Sequence, residues 1–173
     1  HKTDPTTPNQ KIEELITIHA RPASFGKQLK GTVKEYGQAV RASPFKACGE
    51  LRNSADITGK IVIMTRGGCK FLEKARRIQS LGAKGGIVVD NTTRPYNQHY
   101  YMSMALGEAD NVNIPMVFVF LEDAKPLLQA LDENPEMGVI LSDYNELRPK
   151  FISPATGDDP AIQGSPNAPG SSP

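Results

Sequence analysis

The chain has 173 residues, with 20 Lys and Arg against 19 Asp and Glu, 38% hydrophobic residues, 15 Gly, 14 Pro and two Cys, which is material for one domain with a sizeable core. A formal net charge of +1 without a long basic run gives no electrostatic case for nucleic acid or an anionic membrane. No window approaches the roughly 18 consecutive apolar residues of a membrane span, and the chain does not open on the basic start and apolar centre of a signal peptide, so a soluble chain is expected.

Residues 1–10 carry no large apolar side chain, and from 153 to 173 only Ile162 does. Neither end can offset its ordering entropy by burial. The folded unit is therefore expected at 11–152, between a disordered leader (1–10) and a Pro/Ser/Gly-rich linker or tail (153–173), as in a piece of a longer protein. Within it Thr32 to Val40 alternates partially and reads as a half-exposed antiparallel strand. Lys60 to Thr65 (KIVIMT), after the turn signal Asp56 to Gly59, reads as a strand buried on both faces. Phe71, Leu72, Ala75, Ile78 and Leu81 recur at three and four, predicting an amphipathic helix that Gly82 stops, with Lys74, Arg76 and Arg77 on a solvated face. Gly86 to Val89 and Met116 to Leu121 are further apolar strands. Asp123 is expected to cap a helix over Ala124 to Leu131 with Pro126 in its first turn, and Gly138 to Leu141 is a last strand. The pattern predicts a mixed α/β fold: two strand-helix-strand units, 60–90 and 116–141, preceded by antiparallel strands.

Candidate chemistry is sparse. Arg66-Gly67-Gly68-Cys69 lies between a strand and a helix, but it lacks the third glycine, the Lys and the hydroxyl of phosphate-binding loops. A tight crossover with Gly67 or Gly68 at positive φ is the expectation. Cys48 and Cys69, with His1, His19 and His99 scattered, do not form a metal set. They are either free thiols or a disulfide closing a loop of about 22 residues, worth roughly 3 kcal/mol; the even count and the placement around one strand favour the disulfide. Asn91-Thr92-Thr93 fits a glycan acceptor at a strand exit, and with the cysteine pair points to a secretory compartment. His99, in the Tyr-rich run Tyr96 to Tyr101, is the interior histidine with polar neighbours. Glu73 with Arg77 reads as a helix-surface pair, while Glu108, Asp110 and Asp132 show no visible pairing. An enzyme reading would need His99 with Glu108 or Asp110.

Taken in order, ACGEL at 47–51, GKIVI at 59–63, RGGCKF at 66–71, Glu73-Lys74-Ala75, Leu81-Gly82-Ala83, GIVVDN at 86–91 and IPMVF at 114–118 resemble the protease-associated (PA) domain, from about Thr32 to Leu141. The resemblance implies a protease-associated fold of sandwich-like mixed sheets flanked by about two helices, without an active site of its own. Such modules are carried by secreted and lumenal enzymes, vacuolar sorting receptors and transmembrane ubiquitin ligases. It also places the family's frequent disulfide on Cys48 and Cys69, and a peptide-contacting arginine on Arg66. The long polar stretch Thr92 to Asn113 departs from the compact loop of the family. The boundaries and linker-like end look similar to the C-terminal domain of a lumenal α-mannosidase of the endoplasmic-reticulum degradation-enhancing class. The expectation is a non-catalytic module binding a protein, a peptide or its parent's catalytic domain through Arg66, Lys70, Tyr96, His99, Tyr100 and Tyr101. No cofactor, metal, nucleic acid or membrane contact is expected.

Overall fold

In the computed structural model, which describes residues 15–93, 102–104 and 107–143, the continuous apolar runs form the centre of one sheet. Its strands are β1 (Arg21–Pro22), β2 (Lys34–Arg41), β3 (Ile61–Thr65), β4 (Gly85–Val89), β5 (Met116–Val119) and β6 (Gly138–Ser142), ordered β1-β5-β4-β3-β2-β6. Strands β2 to β5 run parallel, and β1 and β6 close the two edges antiparallel. Residues 11–14 and 144–152 of the expected folded unit lie outside the described residues.

The two helices, α1 (Phe71–Ser80) and α2 (Leu121–Glu133), explain why the central strands read as unbroken apolar runs: each covers one face of the sheet. Alternation splits β3, β4 and β5 between the helices. Val62, Met64, Val88, Met116 and Phe118 pack with Leu72, Ala75 and Ile78 of α1. Ile61, Ile63, Ile87, Val89, Val117 and Val119 pack with Ala124, Leu127 and Leu131 of α2. Helix α1 stops where its glycine predicts: Gly82 takes φ +85, its amide reaches the Gln79 carbonyl at 2.9 Å, and the Ala83 amide reaches that of Ile78 at 3.0 Å.

Two expectations need correction. The second strand-helix-strand unit does not place its strands side by side, because β6 crosses to the far edge and pairs antiparallel with β2. β2 is long enough to serve two partners, offering Lys34 to Gln38 to β6 and Ala39 to Arg41 to β3 in parallel. Helix α2 begins three residues earlier than expected, at Leu121, with Phe120 as an extended N-cap. Asp123 is therefore not the cap, though its charge still stands in the first turn, where it complements the helix dipole. Pro126 falls inside the helix, where its missing N–H leaves the Glu122 carbonyl without the usual helix donor.

Candidate functional site

The crossover from β3 to α1 is built at the carboxyl ends of the parallel strands. Arg66 still belongs to the sheet, its amide donating to the Val89 carbonyl at 2.9 Å. Gly67 and Gly68 then turn the chain at φ +100 and +82, a region open to glycine. A β-carbon at Gly68 would stand 3.0 Å from Cys48 Sγ, so the glycine also lets the 46–49 loop lie against the turn. That loop is covalently held there: Cys48 and Cys69 are disulfide bonded, with S–S 2.10 Å and Cα–Cα 5.8 Å.

Beside the turn, the Asp90 side chain is fully buried at the end of β4 and needs partners. Its Oδ1 accepts the Asn91 amide at 2.9 Å and the Thr92 amide and hydroxyl at 3.4 Å each, and lies 3.7 Å from the Arg66 guanidinium. Arg66 keeps 32% of its side chain exposed, so it joins a buried carboxylate to solvent. Asn91 is exposed, and its Nδ2 donates to the Arg66 carbonyl at 3.3 Å. Lys70, 61% exposed, pairs with Glu108 at 2.7 Å, and the hydrogen bond and charge of that carboxylate raise its pKa. The fold thus gathers Arg66, Lys70, Asn91 and the disulfide on one rim. Tyr96, His99, Tyr100 and Tyr101 lie outside the described residues.

Helix α1 contributes more than its sequence suggests. Its cationic residues are not a solvated face. Lys74 is fully buried, donating to the carbonyls of Lys46 and Gly67, the latter at 2.7 Å, and touching Cys48 Sγ at 3.3 Å. Burial, then the charges of Arg77 and Lys46, push its pKa down to about 8. Arg77 donates to the Ala47 carbonyl at 2.6 Å instead of pairing with Glu73. Arg76 holds the Ala109 carbonyl and Asn111 Oδ1, each at 2.5 Å, and Gln79 bonds the Asn111 carbonyl and the Asn113 amide. The polar face of α1 therefore anchors the returning end of the polar stretch that sets this chain apart. A signal for Lys74 existed: position 74 follows Phe71 by three and precedes Ile78 by four, on the apolar stripe.

Of the carboxylates without visible pairing in the sequence, the enzyme reading used Glu108 and Asp110 with His99, which lies outside the described residues. Glu108 binds Lys70, Asp110 accepts the amides of Gly26 at 3.1 Å and Val112 at 3.0 Å, and Asp132 pairs with Arg41 at 2.8 Å. Among the described residues no group of three or more His, Cys, Asp or Glu is placed to hold a metal, and no helix is long and apolar enough to cross a membrane. A cavity of about 370 Å³ opens between Gly49 to Leu51 and the last turn of α1, and one of about 240 Å³ between residues 17–20 and the end of β6. Neither is lined by the rim residues.

The family model of the PA domain matches residues 34–127. The chain is 37% identical over 132 residues to ER degradation-enhancing alpha-mannosidase-like protein 3 of Xenopus laevis, covering 74% of this chain and 14% of that protein. The Homo sapiens protein of the same name is 36% identical over 131 residues, with the same coverage. A receptor homology region, transmembrane domain- and RING domain-containing protein 3 of Arabidopsis thaliana is 35% identical over 114 residues, covering 64% of this chain and 26% of that protein. The chain thus spans a small part of the length of these relatives.

Proposed function

The chain belongs to the PA domain family, and from that premise we propose that it is a non-catalytic protein- or peptide-binding and regulatory module of a larger secretory-pathway protein. The parent we propose is a glycosidase of the endoplasmic-reticulum lumen acting on misfolded glycoproteins, a reading supported by the 37% and 36% identities to mannosidase-like relatives. The observation that carries the binding role is the rim itself. Arg66 and Lys70 present cationic groups to solvent from a turn held by two parallel strands, a helix and a disulfide. A rigid rim of that kind suits the carbonyls and carboxylates of a docked segment, which Arg can grip in bidentate fashion. The exposed Asn91 of the same rim is proposed as a glycan acceptor. The identity to the RING-domain relative favours one alternative, a substrate-binding lumenal domain of a transmembrane ubiquitin ligase.

The test is binding of the chain to unfolded glycoprotein peptides and to the remaining domains of the longer protein. Lys70→Ala and Arg66→Lys suit it, because the second keeps a cation beside buried Asp90 while losing the guanidinium fork. Each is expected to weaken binding by about fivefold to thirtyfold, since one interfacial charge-assisted contact contributes ~1–2 kcal/mol. Unchanged affinity in both, with unchanged circular dichroism, removes the rim as the binding surface.

A further inference from the structure

The two sulfurs of the disulfide stand in unlike surroundings. Cys48 Sγ is 3.3 Å from the Lys74 ammonium and 3.4 Å from each of the Lys46 and Gly67 carbonyl oxygens. Cys69 Sγ has the Ala47 carbonyl at 4.0 Å. Both cysteines are half-buried, and Cys69 is flanked on either side by exposed residues, Gly68 and Lys70. Lys74 is fully buried, and its hydrogen-bond partners are two carbonyls and a sulfur, with no carboxylate. A buried ammonium without a counter-ion is costly to hold. A thiolate formed at Cys48 would be that counter-ion, in contact.

We propose that Cys69 is a site of thiol–disulfide exchange, at which a thiol of the glutathione or dithiol-oxidoreductase class adds while Cys48 leaves as a thiolate paired with Lys74. The external thiol first gives its proton to solvent. Its thiolate attacks Cys69 Sγ, a sulfur–sulfur bond forms there, the Cys48–Cys69 bond breaks, and the electron pair of the broken bond passes to Cys48. A second external thiolate attacks the outer sulfur of the mixed disulfide and releases Cys69. Two external thiols are oxidised to a disulfide, the protein disulfide is reduced, and their two protons end on the protein thiols. A stabilised leaving thiolate speeds the first step, because the leaving sulfur's basicity enters the exchange rate. Cys69 stands two residues before the first residue of α1, so the helix amides favour a thiolate there and thus the opposite direction of attack. Direct contact with a buried ammonium outweighs that end effect, which weakens within a turn. Opening the bond removes the covalent tie between the 46–49 loop and the turn that carries Arg66, leaving the loop held by the hydrogen bonds of Lys74 and Arg77.

The charged groups around Lys74 are Arg77 and Glu73 on its own helix and Lys46 on the facing loop; with burial they set its pKa at about 8. Below that value the ammonium is present to receive the leaving thiolate. The experiment uses the folded, oxidised chain with reduced glutathione as probe, acid quenching, alkylation and peptide mass mapping. Early samples are expected to carry glutathione on Cys69 and the alkyl group on Cys48, by about tenfold over the reverse. Glutathione on Cys48, an even split, or reduction no faster than global unfolding overturns the proposal. The rate per glutathione thiolate is expected to fall as pH rises through about 8 in the wild type and to stay level in Lys74→Met and Lys74→Gln, which start about tenfold slower. A level wild-type profile overturns the role of Lys74, and neither the mapping nor that profile depends on the variants folding.

Discussion

At Gly86 a β-carbon would stand 2.6 Å from the Met116 sulfur and 2.7 Å from Ile78 Cδ1 of α1. Gly86→Ala must push the helix off β4 or force Met116 and Ile78 from their rotamers. The expected loss is about 1–3 kcal/mol of unfolding free energy in urea titration, as for other overpacked cores; a loss under about 0.5 kcal/mol shows that the flexible Met116 side chain absorbs the methyl. At this scale the sequence was legible where a residue type has few uses. Gly67, Gly68 and Gly82 punctuate a crossover and a helix end, and all three take positive φ. Lys74 was not legible, because its charge outweighed its position on the apolar stripe, and neither the cavity that accepts its stem nor the carbonyls that accept its protons are encoded near it. The partners of Asp90 escaped for the opposite reason: they are adjacent in sequence, but nothing in GIVVDN says that the carboxylate turns inward.

Helix α1 sits between two kinds of neighbour, the sheet on its apolar side and residues 108–113 on its polar side. The second contact is made by side chains to backbone: Gln79 Oε1 accepts the Asn113 amide at 2.6 Å and its Nε2 donates to the Asn111 carbonyl at 2.9 Å. Gln79→Ala should therefore release Asn113 while leaving the ladders of β3 and β4 intact. Hydrogen exchange should show the Asn113 amide exchanging at least about tenfold faster and those of Met64 and Val88 unchanged; equal acceleration of all three would mean that the bond supports the whole domain. The order β3, α1, β4, β5, α2 could be read from periodicity, since buried runs and a three-four stripe are local signals. The start of α2 could not, because Leu121 continues the apolar run of β5 and Pro126 suggested a later first turn. The partner of β6 was hidden too: alternation tells which face of a strand is wet, not which strand lies beside it.

Across the whole molecule, the buried ammonium of Lys74 couples folding to pH. Its pKa is about 8 in the fold against 10.5 for the ordinary side chain, so between those values the unfolded chain binds more protons than the folded one. Stability contributed by Lys74 therefore rises as pH climbs through that window. A shift of this size corresponds to a gain on the order of 3 kcal/mol over the whole window, at 1.36 kcal/mol per pKa unit. Lys70 acts oppositely, since Glu108 raises its pKa above 10.5 and its contribution is lost only on passing through that higher value, beyond the window. Urea unfolding with the disulfide intact, at about pH 7.5 and about pH 9.5, isolates the effect when wild type and Lys74→Met are compared, because every other titrating group is common to both. The wild type is expected to gain on the variant by about 1–2 kcal/mol between the two conditions. Parallel changes in both proteins would mean that the Lys74 ammonium is hydrated in the fold, and would remove the buried, unpaired cation from which the reactivity of the Cys48–Cys69 bond was inferred.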